Sequence, residues 1–243
     1  MADNNKLSFD GIRAILFDLD GTLRHSRPSF DDALADFAAQ SGASGVVEKR
    51  KRVLRWVHYY WAQSPELLAD YQTFEGNREL VLTNFARKHL IAYGCGAERA
   101  ADLAPDFYRY IMEEHQSEDR VLPGTLETLQ ALKEAGFTLG VVSNRPEPVH
   151  DLLDTLGIGP YLKFALVAGE VNSYKPEGEI FQHALQLAGS CAECTMYVGD
   201  NYYADVVGAQ RAGLKPVLLD PEGIFPDAEC PVIRSLGELQ GEG

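Results

Sequence analysis

The sequence predicts an α/β protein in which a parallel sheet with flanking helices is interrupted by an inserted block of helices. Three observations predict this class. The short, largely apolar run at residues 12–17 leads into Asp18 and is typical of a buried parallel strand. Residues 28–118 show helical periods and no convincing strand. After Val121, strands alternate with helices, as they do in βαβ units with right-handed crossovers.

Glycines divide the inserted block into helices, because glycine is unfavourable inside a helix and common at its ends. The predicted helices cover residues 29–40, 46–63, 78–93 and 98–116. After Val121 the hydrophobic pattern alternates between the period of a strand and that of a helix, and this alternation predicts the remaining elements. In order they are helix 125–135, strand 137–142, helix 147–156, strand 164–168, helix 177–187, strand 195–198, helix 205–212 and strand 216–219.

One predicted strand precedes the helical block and the others follow it, so the block is an insertion in a single core. We expect the core to comprise residues 1–24 and 119–243, and the helical domain residues 25–118. Ligands of open α/β sheets bind beyond the carboxyl ends of the strands, and the insertion begins just after the first strand. The helical domain is therefore expected to act as a lid.

The charge of the chain limits its partners. With 36 acidic and 22 basic residues its formal net charge is -14, which repels nucleic acid and anionic membranes. A small phosphorylated metabolite is less affected, because local groups dominate at close range. The first ten residues lack the apolar segment of a signal peptide, and no stretch approaches a spanning helix. We therefore expect a cytoplasmic protein.

The four cysteines are expected to be free thiols, because a chain of this length and pattern does not need disulfide support. Cys191 and Cys194 have the spacing of a redox pair or of half a zinc site. No second pair or nearby histidine cluster completes a tetrahedral zinc set. A thiol redox function stays a minor alternative.

Polar residues follow the predicted strands in four groups. They are Asp18 with Asp20, Ser143 with Asn144, Lys175 in the loop after the strand at 164–168, and Asp200 with Asp205. Parallel strands bring their carboxyl ends to one edge of a sheet. We therefore expect the four groups to converge on one site.

The first group suits phosphoryl transfer. Asp18 is an oxygen nucleophile that can divide one hydrolysis into two displacements. Asp20, two residues further on, can protonate the leaving oxygen and then deprotonate the attacking water. Gly21 permits a close approach of the backbone. Asp18 and Asp20 are thus the predicted nucleophile and proton shuttle.

The other groups supply charge and hydrogen bonds to the phosphate. Lys175 provides a fixed positive charge beside the transferring group. The hydroxyl of Ser143 and the backbone amide of Asn144, expected at a helix start, can donate hydrogen bonds to phosphoryl oxygens. Thr22 is expected in a tight turn, with its hydroxyl available to phosphate or to the backbone. These four residues form the predicted phosphate-binding set.

We expect a divalent cation, because several carboxylates facing a phosphate dianion would otherwise repel it. Mg²⁺ prefers a few protein oxygens together with water and substrate oxygens. The expected ligands are the carboxylates of Asp18 and Asp200, the backbone carbonyl of Asp20, and Asp205 directly or through water.

Taken in order, these groups resemble the motifs of the haloacid dehalogenase-like (HAD) hydrolase superfamily. The matching stretches are Asp18-Leu19-Asp20-Gly21-Thr22, Val142-Ser143-Asn144, Lys175-Pro176 and Gly199-Asp200-Asn201-Tyr202-Tyr203-Ala204-Asp205. The resemblance implies a Rossmann-like core with helices on both faces, an aspartyl-phosphate intermediate, a magnesium ion and a helical cap. Dehalogenase and phosphonate-cleaving members lack the second aspartate, so Asp20 favours a phosphatase acting on a phosphomonoester.

Two alternatives and two sets of residues stay open. A phosphomutase uses the same residues, and a catalytically idle phosphate-binding protein would keep the fold. After Thr22 the chain departs from many capped relatives; Arg24, His25 and Arg27 either contact an anionic substrate or form a solvated hinge. Trp56 and Tyr60 share a helix face at i, i+4 spacing and are expected in the cap core, although an aromatic ring of that helix can also line the substrate cavity.

Overall fold

The computed structural model describes residues 7–42, 46–114 and 117–240. The chain forms two compact units. The first comprises Met1–His25 with Asp119–Gly243, and the second comprises Ser26–Glu118. No helix within the described ranges is long and apolar enough to cross a membrane.

The first unit is built on a six-stranded sheet in which every neighbouring pair of strands is parallel. Its strands are β1 (Ala14–Phe17), β4 (Thr138–Ser143), β5 (Phe164–Val167), β6 (Thr195–Gly199), β7 (Lys215–Leu219) and β8 (Val232–Ile233). They are ordered β5-β4-β1-β6-β7-β8, so β1 lies between β4 and β6. The carboxyl ends of these three central strands therefore lie next to one another.

Helices cover both faces of this sheet, as predicted. They are α6 (Thr125–Glu134), α7 (His150–Thr155), α8 (Ala168–Val171), α9 (Gly178–Ala188) and α10 (Val207–Arg211). In β1, Ile15 and Phe17 belong to the apolar cluster that includes α6 and α7 residues, whereas Ala14 and Leu16 belong to the cluster that includes α9 and α10 residues. All four side chains are fully buried. This burial on both faces explains why β1 is a continuous apolar run in the sequence.

Several short elements were not predicted. Strands β2 (Arg24–Arg27) and β3 (Glu118–Val121) form a separate two-stranded sheet where the chain passes between the units. Both are polar and lack an alternating pattern. Helix α3 (Pro65–Thr73) was also missed, although Ser64 caps it by accepting a hydrogen bond from the Leu67 amide at 3.1 Å. A serine followed by proline at the first helical position is a start signal that the sequence does contain.

The second unit is helical, as predicted. Besides α3 it contains α1 (Phe30–Gln40), α2 (Val46–Trp61), α4 (Arg78–Ala92) and α5 (Ala97–Arg109), which continues into the π-helical turn Tyr110–Glu114. The last two residues of the predicted helix 98–116 lie outside the described residues. Trp56 and Tyr60 pack against each other with ring centroids 5.5 Å apart, and Tyr60 is fully buried. The expectation that this pair belongs to the core of the helical unit is confirmed.

The prediction of four free thiols is wrong for one pair. Cys191 and Cys194 are joined by a disulfide bond, because the 3₁₀ turn Ala192–Cys194 brings their Cα atoms to 5.1 Å, within the range that a disulfide requires. Cys95 and Cys230 are free, as expected, and both are buried.

Candidate active site

The predicted polar groups converge at the carboxyl edge of the sheet, around Lys175. Its buried ammonium donates to Asp18 Oδ1 at 2.6 Å, to Asp205 Oδ1 at 2.7 Å and to the Tyr197 hydroxyl at 3.0 Å. Asp18 follows β1 directly, and its backbone amide donates to the carbonyl of Val198 in β6 at 2.9 Å. The ammonium thus contacts a residue that lies 157 positions away in the sequence.

The charges of this cluster perturb one another strongly. Burial acts to lower the pKa of Lys175, but Asp18 and Asp205 outweigh it and hold that pKa well above its usual range. Burial raises the pKa of Asp18 to about 7, although Lys175 acts in the opposite direction. The ammonium of Lys175 therefore does not fully compensate the desolvation of Asp18.

Asn144 positions Lys175. Its side-chain oxygen accepts from the Lys175 amide at 2.7 Å, and its side-chain amide donates to the Lys175 carbonyl at 2.9 Å. The expectation that Asn144 stands at a helix start is wrong, because α7 begins only at His150. Ser143, the last residue of β4, is buried, and its hydroxyl accepts from the Arg145 amide at 3.3 Å. Within the part of the chain that the structure describes, this hydroxyl donates no hydrogen bond, so its proton is available for donation.

Three carboxylates approach one another closely enough to share a cation. One oxygen each of Asp18, Asp200 and Asp205 lies within 4.8 Å of the others. Burial, with the charges of Asp18 and Asp205, holds the pKa of Asp200 well above its usual range. Thr22, expected to face phosphate or backbone, instead donates to Asp200 Oδ1 at 3.2 Å. A largely buried set of carboxylate oxygens with excess negative charge fits a hard divalent cation such as Mg²⁺.

Gly21 allows the chain to pass close to this cluster. Its φ is +90°, and a Cβ atom there would lie 2.4 Å from Asp200 Oδ2. Real Cβ atoms do not approach an oxygen so closely, so the side chain of Asp200 or the backbone at residue 21 would have to move. Position 21 thus favours glycine for two reasons: its φ is positive, and its backbone lies close to the side chain of Asp200.

Replacing Gly21 by alanine is therefore expected to displace Asp200 and to lower activity by about 10- to 100-fold, the cost of a misplaced reacting group. Gly11 provides the matched control: its φ is +74°, but nothing lies within 4 Å of the corresponding Cβ. Gly11→Ala should lose only about 1 kcal/mol of stability and keep full activity. Phosphate release and thermal unfolding of both variants check this pair, and equal activity losses would contradict it.

Asp20 is held by two arginines, which the sequence reasoning did not foresee. Its carboxylate accepts from Arg145 Nε at 2.7 Å and from a terminal Arg145 nitrogen at 2.8 Å, and Arg24 Nε lies 2.7 Å from Asp20 Oδ1. Arg24 also pairs with Asp119 at 2.9 Å. Burial acts to raise the pKa of Asp20, but the hydrogen bonds of Arg145 and the charges of both arginines outweigh it and lower that pKa.

Arg24 is thus a largely buried ion-pair partner, and the solvated-hinge interpretation is wrong for this residue. Arg145 was not singled out in the sequence. The available signal was its position directly after Ser143 and Asn144, where a cation follows the end of a central strand in an acidic site.

A parallel sheet with this buried cluster at its carboxyl edge defines an α/β enzyme of the Rossmann-like class. A model of the haloacid dehalogenase-like hydrolase family matches residues 12–213, and the chain belongs to that family.

The relatives specify the type of hydrolase. The phosphoserine phosphatase of Thermus thermophilus is 30% identical over 251 residues, covering 94% of this chain and 97% of the relative. The phosphoglycolate phosphatase of Rhodospirillum rubrum is 32% identical over 214 residues, covering 85% and 79% of the two chains. The HAD-hydrolase YfnB from Bacillus subtilis, whose crystal structure contains magnesium, is 26% identical with a TM-score of 0.54, covering 94% and 96%. The chain is a phosphohydrolase of this family.

Proposed function

We propose that the protein is a magnesium-dependent phosphatase that hydrolyses a small phosphomonoester through an aspartyl-phosphate on Asp18. The observation that carries the proposal is the contact of 2.6 Å between the ammonium of Lys175 and Asp18 Oδ1. It fixes a carboxylate at the end of β1 beside a buried positive charge. A carboxylate held in this way can attack phosphorus, and the neighbouring ammonium can stabilise the negative charge of the transferring group.

In the first displacement, an oxygen of Asp18 forms a bond to phosphorus while the ester bond breaks. Asp20 enters this step protonated, the ionised form of the resting site having taken up a proton from solvent, and gives that proton to the leaving oxygen, so an alcohol departs. In the second displacement, Asp20 takes a proton from water, the water oxygen attacks phosphorus, and the bond to Asp18 breaks. Orthophosphate is released and both carboxyl groups return to their starting forms. The hydroxyl of Ser143 donates a hydrogen bond to a phosphoryl oxygen in both steps.

Mg²⁺, when bound, would neutralise charge on the phosphoryl oxygens and on the clustered carboxylates. We assign the carboxylates of Asp18 and Asp200 and the backbone carbonyl of Asp20 as ligands. Both oxygens of Asp205 accept other hydrogen bonds, from Lys175 at 2.7 Å and from the Asn201 amide at 2.9 Å. This favours ligation by Asp205 through water rather than directly. The magnesium in the Bacillus subtilis relative supports the choice of ion.

Metal removal tests the function. After treatment with EDTA, the protein is expected to release no orthophosphate from p-nitrophenyl phosphate or from a panel of metabolite phosphomonoesters. Mg²⁺ should restore release, whereas the larger Ca²⁺, which favours more ligands and looser geometry, should not. Release that continues unchanged in EDTA would refute a metal-dependent phosphatase. Binding of Mg²⁺ and phosphate without turnover of any ester would instead indicate an idle phosphate-binding protein.

A further inference from the structure

The proposed chemistry needs the carboxyl group of Asp20 to give and take a proton, but in the structure this group forms an ion pair with Arg145. Three guanidinium nitrogens lie within 2.8 Å of the two Asp20 oxygens. A group that exchanges a proton with the leaving oxygen must come within about 2.6–3.2 Å of it. A proton on either Asp20 oxygen would weaken the charge-assisted contact at that oxygen, so donation to the leaving group favours separation of Asp20 from a guanidinium group. We therefore expect the arrangement to open during the reaction.

Arg145 is the partner placed to separate from Asp20. The Arg24 side chain is 12% exposed and is anchored on its other side by Asp119, at 2.9 Å. The Arg145 side chain is 33% exposed, and both of its side-chain hydrogen bonds within the described part of the chain go to Asp20. Breaking the Arg145 contact disturbs one pair, whereas moving Arg24 would disturb two.

Separation leaves Arg145 needing a replacement anion. Withdrawal of Asp20 removes both described side-chain hydrogen bonds of Arg145 and leaves only the more distant charges of Asp119 and Asp18 to act on its guanidinium group. The planar guanidinium fork that fits the Asp20 carboxylate fits another carboxylate equally well. Because Asp20 serves the leaving oxygen, a group that takes its place on Arg145 belongs to the leaving alcohol, close to the ester bond.

We propose that Arg145 is a specificity-determining residue that exchanges Asp20 for a carboxylate on the leaving group of the substrate. The substrates are then phosphate esters of small hydroxy acids, with the carboxylate near the ester oxygen. This inference rests on the proposed phosphatase function and on the role of Asp20 in it. Binding of the correct substrate releases Asp20, whereas an uncharged alcohol leaves Asp20 paired with Arg145.

Two substrates that differ only in the relevant group test the exchange. Phosphoglycolate carries a carboxylate where 2-hydroxyethyl phosphate carries a hydroxymethyl group. The wild type should prefer phosphoglycolate in kcat/KM. In Arg145→Met this preference should fall by about 10- to 100-fold, as expected for a lost charge-assisted bidentate contact. The loss should appear mainly in KM for phosphoglycolate, while kcat/KM for 2-hydroxyethyl phosphate should rise because Asp20 is released.

The controls separate specificity from folding. Arg211→Met removes an exposed arginine of α10 and should leave the preference unchanged. Arg145→Lys keeps the charge but loses the planar fork, so its preference should lie between those of the wild type and Arg145→Met. Thermal unfolding is measured for each variant. If Arg145→Met does not fold, the substrate preference of Arg145→Lys is compared with that of the wild type instead.

Two results would overturn the exchange while the phosphatase function stands. One is a wild type that hydrolyses phosphomonoesters without preferring phosphoglycolate to 2-hydroxyethyl phosphate. The other is an Arg145→Met variant that loses activity on both substrates by the same factor, which would indicate a merely structural role. A wild type that hydrolyses no phosphomonoester would refute the proposed function and, with it, the exchange.

Discussion

Asparagine in place of Asp18 is expected to lower Mg²⁺-dependent phosphate release by at least about 10⁴-fold, the scale of loss when a nucleophile is removed. The amide is nearly isosteric with the carboxylate, and its oxygen can still accept the hydrogen bond from Lys175. It is a much weaker nucleophile and a weaker ligand for a hard cation. Release of orthophosphate from the most active ester of the panel, measured at saturating Mg²⁺, checks the prediction.

The stability of Asp18→Asn gives a readout that does not depend on turnover. Burial raises the pKa of Asp18 to about 7 from a model-peptide value of 3.8. A raised carboxyl pKa means that its ionised form destabilises the folded state, and this loss develops as the pH rises from about 4 to 7. Without metal at pH 8, Asp18→Asn should therefore unfold at a temperature no lower than the wild type. Added Mg²⁺ should stabilise the wild type more than the variant.

The control for this substitution is Asp227→Asn, which makes the same chemical change at an exposed position. It should retain the activity and the Mg²⁺-induced stabilisation of the wild type. Full phosphate release by Asp18→Asn would exclude Asp18 as the nucleophile. Equal stabilisation of both variants by Mg²⁺ would exclude it as a metal ligand.

Local patterns predicted most of the fold because burial leaves a periodic trace in the sequence. The apolar run of β1 reflects a strand covered on both faces, and the helical periods of α1, α2 and α5 reflect one buried face each. The pairing of β2 with β3 leaves no such trace, because it joins two short polar segments more than 90 residues apart. The disulfide between Cys191 and Cys194 depends on local backbone geometry that residue spacing alone does not specify.

The candidate site, like the fold, could be predicted only in part. Residues directly after parallel strands could be predicted to meet, since topology alone brings strand ends to one edge. The side-chain hydrogen-bond partners could not be predicted, because they depend on how side chains point between residues that lie far apart in the sequence. Arg145 lies 125 residues from Asp20, yet its guanidinium group donates hydrogen bonds to both carboxylate oxygens of Asp20. Only the backbone amide of Asn144 was given a role, on phosphate, and the sequence did not indicate that its side chain holds the backbone of Lys175.

Replacing Lys175 by methionine is expected to have the second largest effect. Methionine fills a similar volume but donates no hydrogen bond, so Asp18 and Asp205 lose the buried ammonium that lies 2.6 and 2.7 Å from them. Loss of one partner from a buried ionic cluster typically costs about 3–5 kcal/mol of folding free energy. Phosphate release should fall by roughly 10³-fold, as it does when a charge-stabilising group is removed from a reaction centre.

The stability loss in Lys175→Met should grow with pH. Without the ammonium, the pKa of Asp18 rises further, so its ionised form costs more as the pH increases. Urea unfolding in EDTA at pH 5.5 and pH 8 should therefore show the larger difference from the wild type at pH 8. Lys163→Met is the matched control, since the side chain of Lys163 donates only one described hydrogen bond, to the carbonyl of Ala188 at 3.0 Å, from an exposed position. That variant should lose at most about 1 kcal/mol with no pH trend, because a neutral acceptor near solvent has nothing to titrate. A Lys175→Met variant as stable and as active as Lys163→Met would show that the buried ammonium neither balances the carboxylates nor supports the reaction.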